Sequence, residues 1–215
     1  MSTPTGLRDQ KKAATRLALS EAAIRLAKPA GLGGVTAEAI AAEAGVSTRT
    51  FHNYFASKEE AVLYRFEADV AGWVERLYAR PLDEPIWDSL EAIVLSIVLD
   101  PVRDLEDVRA EMMLIEDSPA LLARHIALHG RVTRTLGEAI AARTGTDVDT
   151  DLYPNVLQMA VGTAAKSAIE LWLGGNTGHP TPEPLVRETF AMLRAGLPQP
   201  TPRRPPAARP APPVP

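Results

Sequence analysis

A short stretch near residue 50 carries side chains that suit the reading of DNA. Its polar residues are Thr48, Arg49, His52 and Asn53. Arg and Asn form paired hydrogen bonds with base edges in the major groove, and Thr and His can donate to bases or phosphates. Phe51 and Phe55 lie four residues apart, so a helix would bury both rings on one side and leave the polar groups outside. The pattern predicts a short helix with a hydrogen-bonding outer face.

The residues before this helix predict the element that positions it. Thr36 is a good N-cap, and Ile40, Ala41 and Ala44 follow it at helical spacing. Gly45 allows a sharp reversal of the chain, and Ser47 is a second N-cap only two residues later. The stretch therefore predicts a helix-turn-helix, although an ordinary corner between two helices in any helical protein has the same local pattern. A helix of eight residues is about 12 Å long, which matches the width of the major groove.

A third helix is predicted directly after the second. The sequence Ser57-Lys58-Glu59-Glu60 has the spacing of a capping box, in which Ser57 and Glu60 satisfy each other's backbone donors. Lys58 and the helix N-terminus would then face the same side, and both favour phosphate.

This segment resembles the N-terminal DNA-binding domain of the TetR family of bacterial transcriptional regulators. The residues that match are Thr36, Ile40-Ala41, Ala44-Gly45-Val46-Ser47, Thr50-Phe51, Tyr54-Phe55 and Ser57-Lys58. The resemblance covers roughly residues 10 to 65. It implies DNA contacts from Thr36, Ser47, Thr48, Arg49, Thr50, His52, Asn53, Tyr54 and Lys58. The family usually has Tyr where this chain has His52, and a hydrogen bond from His to the DNA backbone would weaken as His loses its proton above about pH 6.5.

The resemblance also implies partners and a mode of action. TetR-like proteins are homodimers that bind double-stranded operator DNA, usually as repressors, and a small-molecule effector releases them. For this chain we expect a palindromic operator and an effector that is at least partly apolar. A helical binding protein or structural dimer without a DNA function is the alternative.

Charge is distributed in a way that fits DNA binding despite a formal net charge of −4. Residues 1–60 hold eight Lys and Arg against six Asp and Glu, whereas residues 61–196 hold twelve against twenty-one. The more positive end would orient toward phosphate.

Composition and motifs predict an intracellular binding protein. The chain has no Cys, which excludes disulfides and thiolate metal sites and fits a reducing compartment. No signal-peptide core and no run of ~18 apolar residues is present, so we expect a cytoplasmic protein without a membrane partner. No Gly-rich phosphate loop, nucleophile elbow or paired-carboxylate motif is visible, so neither an enzyme nor a cofactor is predicted.

The remaining chain is predicted to be all-α. Helical patterns cover 8–28, 58–80, 86–99, 102–116, 119–144, 151–173 and 183–195. We expect a helix-turn-helix domain at 1–57 and a helical ligand-binding and dimerisation domain at 58–196. Residues 197–215 hold nine of the nineteen prolines and three Arg, so they predict a disordered tail whose role as partner site, DNA contact or inert extension stays open.

Two further groups of residues are candidates for binding. The resemblance implies an effector pocket between the central helices, for which we name Trp73, Trp87, Met112, Met113, Ile115, Leu122 and His125. His125 and His129 have metal-ligand spacing, but without Cys or an HExxH motif a pocket lining is the preferred interpretation. Small residues at Gly162, Ala164, Ala165 and Ala168 allow another helix to approach closely. The resemblance implies that this helix and residues 183–195 form the dimer interface, although a core helix of a monomer has the same pattern.

Overall fold

The computed structural model describes residues 6–100 and 105–198. Within these ranges the chain forms nine α-helices and no strand, as the all-α prediction requires. The helices are α1 (Leu7–Ala30), α2 (Ala37–Glu43), α3 (Thr48–Tyr54), α4 (Lys58–Ala79), α5 (Ile86–Val98), α6 (Leu105–Glu116), α7 (Pro119–Thr144), α8 (Leu152–Leu173) and α9 (Glu183–Arg194). Residues 102–104 of the helix predicted at 102–116 lie outside the described ranges. Residues 199–215 of the predicted tail also lie outside them.

The predicted helix-turn-helix is formed by α2 and α3. Thr36 Oγ1 accepts from the Ala39 backbone N–H at 3.2 Å, and Ser47 Oγ accepts from the Thr50 N–H at 3.1 Å, so both helices begin at the predicted N-caps. Between them Gly45 adopts φ of 69°, a left-handed conformation that glycine tolerates without strain. The turn is therefore built from the residues that the sequence indicates.

Two hydrophobic clusters hold the helices together. The first contains the buried residues of α1 to α3 and the start of α4, and it also includes Leu114 and Ile115 of α6 and Leu121 and Leu128 of α7. The second joins the later part of α4 to α5, α7, α8 and α9. Phe66 and Val132 pack against both clusters. The N-terminal segment thus shares its core with α6 and α7, which connects the DNA-binding end physically to the rest of the chain.

One arginine of α7 holds the turn between α4 and α5. The Arg143 guanidinium donates at 2.7–3.1 Å to the carbonyls of Leu77, Arg80, Pro81 and Glu84 and to Ser89 Oγ. Hydrogen bonds from Arg80 and Ser89 lower the pKa of Glu84 to about 2, so its carboxylate stays ionised beside this cation. The carbonyl of Leu77 in the last turn of α4 and three carbonyls after the helix thus accept hydrogen bonds from a side chain of a distant helix.

No helix in the described parts of the chain combines the length and the apolar composition needed to cross a bilayer.

Candidate functional site

The outer face of α3 is polar and open to solvent. Arg49, His52 and Asn53 are exposed, and Thr48 is half-buried at the first position of the helix. Phe51 is fully buried beneath them and Phe55 is 1% exposed, so the two rings fix this helix on the first cluster. The structure therefore brings the four polar side chains onto one free surface, as their spacing predicts.

Four of the predicted contact residues also make contacts within the protein. Thr36 and Ser47 cap α2 and α3, and the hydroxyls of Ser47 and Thr50 lie 2.8 Å apart. Tyr54 is half-buried and packs against the first cluster. Thr36 and Ser47 remain exposed at the helix N-termini, where phosphate binding is favoured, so capping and DNA contact are compatible for both.

Lys58 has a structural role beside the predicted DNA contact. Its Nζ donates to the Leu32 carbonyl at 2.7 Å and to the Val35 carbonyl at 2.8 Å, and the side chain is half-buried. These two hydrogen bonds anchor the turn before α2 onto α4. A lysine ammonium has three donors, so its contact with phosphate stays a prediction.

The capping box at the start of α4 is formed only on one side. Ser57 Oγ accepts from the Glu60 N–H at 3.3 Å as predicted. Glu60 Oε2, however, accepts from the Ala56 N–H at 2.9 Å instead of the Ser57 N–H. The Glu60 carboxylate thus holds Ala56, the residue before the N-cap, and not the N-cap Ser57 itself.

Glu38 of α2 interacts electrostatically with His52 of α3. The pKa of Glu38 is lowered by a hydrogen bond from its own backbone N–H, by another from Thr36 and by the charge of His52. An acidic group of α2 thus lies within electrostatic range of His52 on α3.

Two arginines at this end of the molecule were not among the predicted site residues. Arg16 of α1 lies over the Tyr64 ring, with its guanidinium carbon 4.2 Å from the ring centroid. Arg124 of α7 donates to Ser57 Oγ at 3.0 Å. Arg124 is 67 residues away from Ser57 in sequence, so no local pattern could indicate this contact.

The predicted effector-binding residues have different surroundings in the described part of the chain. Ile115 is buried in the first cluster and Met112 packs against that cluster. Met113 and Leu122 are 52% and 38% exposed. Trp87 lies against Phe190 of α9, with ring centroids 6.4 Å apart. Large apolar residue types predict burial or binding but not the direction in which a side chain points, which is why these residues lie in several different environments.

Trp73 is the predicted residue that does line a groove. The groove lies between α4 and α5, has a volume of about 170 Å³ and combines apolar and charged groups. Its lining residues are Arg65, Ala68, Asp69, Gly72, Trp73, Arg76, Ile97 and Asp100. Arg65 also connects this region to α1 through an ion pair with Glu21 at 3.2 Å.

His125 lies at the junction of the two clusters. Its ring centroid is 5.1 Å from that of Phe66 and 5.9 Å from that of His129. His125 Nδ1 is shielded from water without a hydrogen-bond partner in the structure. Burial lowers the pKa of His125, and the charges of His129 and Lys166 lower it further. Among the described residues no three His, Cys, Asp or Glu side chains come together in a way that could hold a metal ion.

The exposed face of α8 differs from the predicted dimer seam. Ala168 is 4% exposed and belongs to the second cluster, so it faces the chain's own core and not a partner. The apolar residues that α8 exposes are Leu152, Tyr153, Val156, Met159 and Leu171. Leu152, Val156 and Met159 follow one helical face and are 80%, 59% and 62% exposed. Isolated apolar residues are common on surfaces, but a continuous row on one helix indicates an interaction face.

Comparisons with known proteins agree with this arrangement. The family model described as "Bacterial regulatory proteins, tetR family" matches residues 19–63, and the model "MftR C-terminal domain" matches residues 84–198, more than half of the chain. The "HTH-type transcriptional regulator TcmR" of Streptomyces glaucescens is 36% identical over 165 residues, which cover 73% of this chain and 73% of TcmR. MftR of Mycobacterium tuberculosis, named for mycofactocin biosynthesis, is 26% identical over 191 residues, which cover 87% of this chain and 93% of MftR.

A solved structure has the same fold at low sequence identity. NalD, the secondary repressor of the MexAB-OprM multidrug efflux pump in Pseudomonas aeruginosa, superimposes with a TM-score of 0.56 at 18% identity, covering 87% of this chain and 97% of NalD. This likeness concerns the fold alone, and the relationship itself rests on the family models and on TcmR. The chain belongs to the TetR family of bacterial transcriptional regulators.

Proposed function

We propose that the protein is a homodimeric repressor that binds a palindromic operator through α3 and is released by a small-molecule effector. The observation that carries the DNA contact is the exposed row of Arg49, His52 and Asn53 on an N-capped helix. Both Arg and Asn can discriminate bases in the major groove. As a member of a regulator family the protein is not expected to be an enzyme, and we propose that it acts on DNA in the cytoplasm.

The exposed row on α8 supports the homodimer. A two-fold axis beside α8 would cover Leu152, Val156 and Met159 with the same residues of a second copy. Gly162 is exposed on the same helix and would allow close approach of the partner helix. Met192 of α9, which is 42% exposed, adds apolar surface from the second helix predicted to take part.

The groove beside Trp73 supports an effector that is partly apolar. Trp73, Ile97 and Ala68 offer apolar contact, while Arg65 and Arg76 supply donors. Its volume of about 170 Å³ is below the roughly 300 Å³ at which ligand pockets usually begin. An effector of ordinary size would therefore have to widen the groove, and widening it moves α4 relative to α5.

Selection of duplex DNA from a random pool by the purified protein tests the proposal. A two-fold dimer should enrich an inverted repeat whose half-sites are centred about 34–36 Å apart, or a multiple of that distance. A mobility shift at moderate salt then compares the enriched site with a scrambled one, since nonspecific binding is mainly electrostatic and falls steeply with salt. Enrichment of no common sequence, or equal binding to both duplexes, would contradict the proposed function.

A further inference from the structure

We propose that Arg16 and Arg124 are positioning residues for operator recognition, because together they hold the corner formed by Phe55, Ala56 and Ser57. This corner joins α3, which presents the reading side chains, to α4. The inference rests on the proposed function, since it assigns the two arginines to the orientation of the helix that reads DNA.

Arg16 reaches the corner from α1. Its guanidinium carbon lies 4.2 Å from the centroid of the Tyr64 ring and 5.2 Å from that of Phe55. Both distances are within the range of favourable cation–π contact. Phe55 is the C-cap of α3 and is 1% exposed, so the cation packs against the residue at which the recognition helix ends.

Glu60 extends the Arg16 contact to the backbone of the corner. Its Oε1 lies 3.8 Å from an Arg16 terminal nitrogen, and its Oε2 accepts from the Ala56 N–H at 2.9 Å. Arg16 Nε is itself buried without a hydrogen-bond partner. Burying a guanidinium nitrogen unpaired is unfavourable, so the aromatic rings and Glu60 must compensate for holding Arg16 in this place.

Arg124 reaches the same corner from a distant part of the chain. It donates from α7 to Ser57 Oγ at 3.0 Å, and the same oxygen accepts the Glu60 N–H at 3.3 Å. The α7 helix also contributes Leu121 and Leu128 to the first cluster. A movement of α7 is therefore transmitted to the corner by a directional hydrogen bond as well as by apolar packing.

The positions of the reading side chains depend on this corner because α3 rotates about it as one rigid helix. Its seven residues span about 10 Å, so a rotation of about 10° at the C-terminal end displaces the N-terminal end by about 2 Å. Hydrogen bonds to base edges need donor–acceptor distances of about 2.7–3.2 Å and weaken steeply when the donor angle falls below about 120°. Release of the corner would therefore reduce recognition of the operator more than attraction to DNA in general.

The test compares Arg16→Met and Arg124→Met with Arg131→Met, and each is titrated with the selected operator and with random duplex. Arg131 is exposed on α7, and the described part of the chain shows no ion-pair partner for it, so it controls for loss of one positive charge. We expect both corner variants to lose about tenfold in operator affinity, the scale of a lost charged hydrogen bond. Affinity for random duplex should fall about twofold or less, as in Arg131→Met.

Two conservative variants separate positioning from stability. Arg16→Lys keeps a cation over Tyr64 and should retain most of the operator preference. Glu60→Gln keeps an acceptor for the Ala56 N–H but removes the ion pair, so it should lose part of the preference while folding normally. If circular dichroism shows that Arg16→Met is unfolded, the ratios of operator to random affinity of Glu60→Gln and Arg124→Met test the positioning role instead.

Variants that lower the melting temperature but keep the wild-type ratio of operator to random affinity would overturn the positioning role and leave the proposed function intact. Failure of the wild-type protein to prefer any operator would overturn both.

Discussion

Arg49 is the residue from which the largest effect on base preference is expected. Its exposed side chain lies at the second position of α3, next to the half-buried Thr48. If it contacts a guanine, Arg49→Ala should cost about 1–3 kcal/mol on the operator and relax the preference at one base pair in each half-site. Competition titrations with operators substituted at single base pairs measure both the loss of affinity and the change in base preference. An equal loss on operator and random duplex would assign Arg49 to phosphate instead.

His125 makes folding stability depend on pH in a predictable direction. Burial, His129 and Lys166 hold its folded-state pKa below the ordinary 6.5, so the unfolded chain binds the proton more readily. The contribution of neutral His125 is complete above pH 6.5 and is lost as the pH falls below that value. Melting temperatures of the wild type should therefore drop between pH 7.5 and 5.5 more than those of His125→Gln.

His179 provides the matched control for this pH effect. It is exposed in the connection between α8 and α9, so His179→Gln should keep the wild-type dependence of melting temperature on pH. A His125→Gln variant with the same pH dependence as the wild type would mean that other groups account for the loss at acid pH.

The α8 helix has one face that packs on the chain's own core and another that we propose contacts the partner subunit. Val156→Glu should yield monomers that still fold, because Val156 is 59% exposed. Ala168→Glu places an unpaired carboxylate in the second cluster and should cost about 3–5 kcal/mol in the free energy of unfolding. Sedimentation and thermal unfolding of the two variants distinguish these effects. A dimeric Val156→Glu protein would locate the interface elsewhere.

The helices were predictable because their ends are marked by local chemistry. The α7 helix runs from Pro119 to Thr144 as predicted, because Ser118 caps it and Gly145 ends it with φ of 67°. Lys58 could not be placed in the same way, because its two carbonyl acceptors lie 26 and 23 residues earlier in the chain. The small residues of α8 show that a helix can approach its neighbours closely, but they do not show which side faces the chain's own core.

In the whole molecule, α4 connects the helix-turn-helix to the later helices. This helix begins at the corner beside α3, carries Phe66 between the two hydrophobic clusters and presents Trp73 to the groove. At its far end Arg143 fixes the α4–α5 turn. Because α4 is one unbroken helix, an effector that widens the groove is expected to tilt it as a unit. In a dimer such a tilt changes the separation of the two copies of α3.

Operator DNA fixes the separation between half-sites, so an effector that favours another separation must weaken DNA binding. The loss equals the difference between its affinities for the two states, about tenfold for each 1.4 kcal/mol. By reciprocity the operator must weaken effector binding by the same factor. Once an effector is found, calorimetric titration of the protein with and without operator measures both affinities. Trp73→Ala should weaken the effector in both titrations, whereas identical effector affinities in the wild type would contradict release by tilting even if the effector occupies the groove.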